Sequence, residues 1–118
     1  MEFELLKKSY AVCALTAPYV PDGEFVSLTI SGGEVSLVCE EEKSPENCTA
    51  ETGWRALKIK GPLDFSLVGI LAEIAAVLAQ AGVSLFAVST YETDYILVKQ
   101  HSLQRAIDAL TEKGHAVR

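Results

Sequence analysis

Leu67-Val68-Gly69-Ile70-Leu71-Ala72-Glu73-Ile74-Ala75-Ala76-Val77-Leu78-Ala79-Gln80-Ala81-Gly82-Val83-Ser84-Leu85-Phe86-Ala87-Val88-Ser89-Thr90 is the stretch on which the fold turns. Up to Ala81 the apolar positions Leu67, Ile70, Leu71, Ile74, Val77, Leu78 and Ala81 recur with the 3.6-residue period of a helix that buries one face. Asp64 or Ser66 can cap its start. Gly82 supplies the left-handed conformation that ends helices, and from Val83 the chain takes the β-branched and aromatic composition of a strand.

Working outward, Trp54 to Lys60 alternates Leu57 and Ile59 with Lys58 and Lys60, the pattern of a half-buried strand. Downstream, Tyr95 to Lys99 is a second β-rich run, separated from Val83–Thr90 by the polar Tyr91-Glu92-Thr93-Asp94, which predicts an antiparallel hairpin. Ser102 caps a second helix with Leu103, Ala106, Ile107 and Leu110 on one face and Gly114 at its end; His115 to Arg118 closes as an edge strand. The order β-α-β-β-α-β predicts an α+β, ferredoxin-like unit with both helices on one face of a four-stranded antiparallel sheet. In Val83–Val88 both alternating sets are apolar, so the second sheet face is expected to be covered as well, by the N-terminal strands, a second copy of the chain, or both. A homodimer is the expected assembly.

The first half reads as strands Tyr10–Leu15, Phe25–Ser31 and Glu34–Glu41, the last two joined through the tight turn Ser31-Gly32-Gly33-Glu34. Pro18, Pro21 and Gly23 exclude a helix from residues 16–23. The charged, proline-interrupted run from Glu40 to Asn47 reads as a linker, dividing the chain into a mostly β lobe, 1–50, and a complete unit, 51–118.

Composition removes several function classes. Hydrophobic residues make up 49% of the 118 and charged residues 22%, enough apolar material for a packed core. A net charge of −6 with ten scattered basic residues argues against nucleic acid as a partner. No run approaches the 18 apolar residues of a membrane span, and Met1-Glu2-Phe3-Glu4 is acidic where a leader is basic, so the expected location is cytoplasmic, with no membrane partner. Cys13, Cys39 and Cys48 form neither an even disulfide set nor a CxxC pair, which predicts reduced structural thiols and no metal site. Asn47-Cys48-Thr49 is a chance sequon on this reading, and His101 and His115 are read as plain surface residues.

The string Gly61-Pro62-Leu63-Asp64-Phe65-Ser66-Leu67-Val68-Gly69-Ile70-Leu71, leading into a helix, resembles the opening of an ACT domain. Gly82-Val83-Ser84-Leu85-Phe86 looks like that family's second strand. Ser89-Thr90-Tyr91-Glu92-Thr93-Asp94-Tyr95-Ile96-Leu97-Val98 resembles the corresponding segment of the ACT subgroup that includes the CASTOR arginine sensors and small bacterial ACT-domain proteins. The resemblance covers residues 54 to 118, and residues 89 to 98 are its most specific part. The first half resembles a truncated copy of the same unit, lacking the first helix: without gaps, Leu37-Val38 falls on Leu97-Val98 and Glu34 on Asp94.

ACT domains are amino-acid-binding regulatory modules, and the resemblance implies a free amino acid as ligand. The beginning of the first helix offers unpaired N–H groups and a positive dipole end for the ligand carboxylate. The implied contact residues are therefore Asp64, Phe65, Ser66, Leu67, Val68 and Gly69. Asp94 is the candidate for the ammonium or a basic side chain, Thr90 adds a hydroxyl and Tyr91 an aromatic wall. In the subgroup the ligand lies between two ACT units, which adds Ser84 and Leu85, here from a partner chain. Each has a structural alternative: a turn-forming role for Asp94, capping for Asp64 and Ser66, helix packing for Gly69, interface filling for Tyr91. No catalytic residue, cofactor or metal is implied. The loop 61–66 lacks the arginine that an acylphosphatase needs, and no Ser, Cys or His has a base and an orienting acid beside it in a readable motif, so the chain is not expected to be an enzyme. The competing function is a protein–protein interaction or oligomerisation module without ligand.

Overall fold

The computed structural model describes residues 1–60 and 69–118. Along the chain run β1 (Glu2–Leu15), β2 (Ser27–Ser31), β3 (Glu34–Glu40), β4 (Thr49–Ile59), α1 (Ile70–Gln80), β5 (Leu85–Ser89), β6 (Asp94–Lys99), α2 (Leu103–Glu112) and β7 (Ala116–Val117), with short 3-10 turns at Glu41–Lys43 and Gln100–Ser102. They form two compact units. The first is Met1–Lys7 with Arg55–Arg118, and the second is Lys8–Trp54. The division is nested and differs from a single cut near residue 50: the first residues of β1 belong with the second half of the chain.

The first unit has the β-α-β-β-α-β order, β4-α1-β5-β6-α2-β7, of an α+β ferredoxin-like fold, with one strand more than the four expected. β6 lies between β4 and β5, while β1 lies next to β4 and takes β7 on its other side. The β1–β7 pair is parallel, Glu2 opposite Ala116 and Phe3 opposite Val117. The beginning of β1 is drawn in because it carries core: Phe3 is fully buried with Leu57, Ile59, Ile74, Leu78, Ile96, Val98, Ala106 and Leu110, and Leu5 packs against the same cluster. Alternate residues of β4 and β6 thus point to the side covered by α1 and α2. Each such fully buried Leu or Ile stabilises the fold by about 1.5–3 kcal/mol.

Both helices end alike. Gly82 has φ 74°, and the N–H groups of Gly82 and Val83 donate to Ala79 O (3.0 Å) and Leu78 O (2.9 Å). Gly114, Thr111, His115 and Leu110 repeat the pattern after α2. In this motif the residue after the glycine folds back over the last helical turn. That corrects the surface reading of His115, which is only 7% exposed and sits edge-on to Phe3 with ring centroids 5.7 Å apart. His101 is exposed.

In the second unit β3 pairs antiparallel with both β1 and β2, and the turn Ser31–Glu34 joins β2 to β3 as the sequence predicts. Ala11, Cys13, Leu37 and Cys39 form its core cluster. The run expected to be a linker is built into this unit. Glu40 is buried and its Oε2 accepts the Glu24 N–H (2.9 Å); Glu41 Oε1 accepts the Gly53 N–H (3.0 Å); Glu42 pairs with Lys8 and Lys43 with Asp22, both at 3.0 Å. A carboxylate that accepts a backbone N–H satisfies a donor the loop would otherwise leave orphaned. The high charge of this segment therefore marks anchoring. Among the described residues no helix is long and apolar enough to cross a membrane.

Candidate functional site

The β5–β6 hairpin closes through Thr90 and Thr93. The Thr90 N–H and hydroxyl both donate to Thr93 O, at 2.8 and 3.1 Å, and the Thr93 N–H returns to Thr90 Oγ1 at 3.3 Å. Thr93 itself is 5% exposed, and its hydroxyl donates to Ile59 O at 2.7 Å. Ile59 is the last residue of β4, from which the chain leaves for α1. The Thr93 bond therefore fixes the hairpin turn at the end of the sheet where β4 hands over to the helix.

Asp94 begins β6 directly opposite Ser89, the last residue of β5, and the Ser89 hydroxyl donates to Asp94 Oδ1. The register places this pair on the same side of the hairpin as Leu85, Ala87, Ile96 and Val98, the side facing the helices. Asp94 is half-buried and Tyr91 is 84% exposed at the tip of the turn. An ionised carboxylate accepts on both oxygens, so the Ser89 bond leaves chemistry for a cationic group at the second oxygen. α1 begins after Gly69, which is left-handed at φ 81° and accepts the Glu73 N–H at 2.8 Å.

The structure gathers Thr90 and Asp94, together with Ser89 and Thr93, at one end of the first unit. Thr90's hydroxyl is engaged in the turn, and Tyr91 stands out in solvent. Ser84 is exposed at the far end of β5; five residues of strand put it about 16 Å from Ser89. Leu85 is half-buried and packs into the helix-side core, opposite Val98. Ser84 and Leu85 thus do not join Asp94 within one chain. Asp64, Phe65, Ser66, Leu67 and Val68 lie outside the described residues. Thr93 escapes sequence reasoning because a threonine in a polar turn looks like solvent-facing filler; its one signal is a β-branched residue directly preceding a strand.

Comparison with known proteins agrees with this architecture. The family model described as ACT domain matches residues 49–112. The human protein named cytosolic arginine sensor for mTORC1 subunit 1 is 32% identical over 108 residues, 85% of this chain; the chain spans about a third of that relative's length (33%). A solved structure of an Agobacterium tumefaciens protein superimposes with a TM-score of 0.89 at 30% identity, covering 99% of this chain and 91% of that one. Aspartate kinase from Synechocystis shares the fold, with a TM-score of 0.73 at 18% identity over 98% of this chain and 27% of the kinase. With a β-α-β-β-α-β unit, a family match spanning more than half of its residues and a relative aligned along most of its length, the chain belongs to the ACT domain family.

Proposed function

We propose that this protein is a regulatory, non-catalytic module that binds a free amino acid between ACT units of two copies of the chain, with arginine as the first ligand to test. The observation that carries the proposal is the Thr93–Ile59 bond: it ties the turn beside Asp94 to the last residue of β4, from which the chain runs on to α1, so that on this reading a carboxylate and a helix start share one end of the first unit. A zwitterion needs such a pair, an anion for its ammonium or basic side chain and N–H donors for its carboxylate. The kinship with an arginine sensor supports a basic ligand. The separation of Ser84 from Asp94 supports a second copy as the source of the facing wall, and the relative's cytosolic designation supports a cytoplasmic location. Binding then favours one arrangement of the homodimer by no more than the ligand's preference for it.

The test is a thermal-shift screen of the twenty amino acids at millimolar concentration. A ligand at 100 times its Kd adds about 2.7 kcal/mol, and Asp94→Ala abolishes the gain while leaving the unliganded melting temperature near its original value. No shift with any amino acid overturns the proposal.

A second reading, an assembly module without ligand, is favoured by one observation: Phe86, Val88 and Tyr95 are half-buried on the sheet face away from the helices, in register with one another and with buried Leu97. On that reading Asp94 only closes the turn with Ser89, Asp94→Ala changes nothing beyond the turn, and Phe86→Asp lowers the mass measured by light scattering to that of a monomer.

A further inference from the structure

The three cysteines, far apart in sequence, meet in the second unit. Cys13 of β1 and Cys39 of β3 are core residues, 1% and 0% exposed, and Cys48, just before β4, packs against them. Cys48 is half-buried and directs its own thiol to Pro45 O at 3.1 Å, and the sulfurs of Cys39 and Cys48 are both electrostatic neighbours of Cys13.

We infer that this cluster is a redox site in which Cys48 takes up oxidising equivalents from a peroxide and Cys13 resolves it to an intramolecular Cys13–Cys48 disulfide. Accessibility selects the first step, because Cys48 is the most exposed of the three thiols. The Cys48 sulfur attacks hydrogen peroxide, the O–O bond breaks, and a sulfenic acid and one water form. The Cys13 sulfur then attacks the Cys48 sulfur, the S–O bond breaks, and the hydroxyl leaves with the Cys13 proton as a second water. Two thiols and one peroxide give one disulfide and two waters.

Geometry selects the partner. Cys13 sits opposite Leu37 and Cys39 opposite Ala11, so these two are diagonal neighbours on strands locked by the ladder. Diagonal positions are about 7–8 Å apart, beyond the ordinary Cα span of a disulfide. Cys48 lies outside the strands and can close on Cys13. Burial and the neighbouring sulfurs push the Cys13 thiol up to about 12, which makes it a poor first target for the oxidant. Among the described residues no group of His, Cys, Asp and Glu is arranged for a metal ion.

The test treats the whole protein with hydrogen peroxide, blocks free thiols, and maps cysteines by mass spectrometry. The expected product has lost two hydrogens, joins the Cys13 and Cys48 peptides, reverts with dithiothreitol, and melts several degrees above the reduced form. Cys39→Ala still forms it and Cys48→Ala does not. Cys13→Ala leaves a Cys48 sulfenic acid that dimedone traps. Oxidation of wild-type Cys48 to sulfinic acid with Cys13 still free, a Cys13–Cys39 bond, a cross-link between two chains only, or no reaction at peroxide levels that oxidise a Cys48 peptide each overturn the inference.

Discussion

Thr93→Val keeps the shape of a buried side chain and deletes one hydroxyl, and so isolates the bond that holds the hairpin turn to β4. In the folded protein that hydroxyl donates to Ile59 O at 2.7 Å, and Ile59 is fully buried. A neutral hydrogen bond contributes about 0.5–1.5 kcal/mol net, and a buried carbonyl left without its donor costs about 1–3 kcal/mol. The expected loss is therefore about 2 kcal/mol, or roughly 8 °C in melting temperature at about 4 °C per kcal/mol for a chain of this size. Thr93→Ser is the control: it keeps the donor and removes one buried methyl, a loss of about 0.8 kcal/mol. Urea unfolding of the three proteins gives the order wild type, Ser, Val. A packing role alone gives the opposite order, Val above Ser. A Val variant as stable as Ser, or more so, overturns the assignment of Thr93 as the anchor. The same variant weakens the amino-acid thermal shift if the turn positions Asp94 for the ligand.

Gly69→Ala forces a side chain into φ 81°, with no heavy atom within 4 Å of the new methyl among the described residues, so the loss is backbone strain of about 1–2 kcal/mol; Gly69→Asn loses less in the same urea experiment, since Asn tolerates that region, and an alanine variant as stable as wild type contradicts the strained start of α1. Alkaline pH destabilises the protein through Cys13: its folded value, about 12, lies above the ordinary 9.0, so the unfolded chain gives up the proton first and stability falls as pH rises from about 9 toward 12. Cys13→Val makes the fall in melting temperature over that window shallower, buried Cys39, whose thiol is also pushed up by burial, keeping the rest, and an unchanged slope refutes the contribution of Cys13.

The part of the fold that follows local rules was legible in the sequence. The 3.6-residue rhythm of Ile70 to Ala81, the glycines at 82 and 114 and the alternation at Leu57 and Ile59 gave α1, α2 and the end of β4, because periodicity and capping depend on neighbours in sequence. β1 was half missed. Adjacent Leu5 and Leu6 both find burial, and with Lys7-Lys8 behind them they break the alternation that announces a strand. The glutamates at 40–42 looked like solvated linker because a carboxylate's partner, here Glu24 N–H, Gly53 N–H or Lys8, is brought by the fold.

Sequence by itself determined the class of the protein: an α+β unit whose order and motifs place it in the ACT family, with Asp94 at a hairpin mouth. Tertiary structure decided what those residues touch. It grouped Met1–Lys7 with Arg55–Arg118, buried His115 beneath a helix end, tied Thr93 to Ile59, and brought Cys13, Cys39 and Cys48 into one cluster. The reason is range: propensity and period act over a few residues, whereas hydrogen bonds and thiol contacts between positions 34 or 35 residues apart exist only once the chain has folded back upon itself.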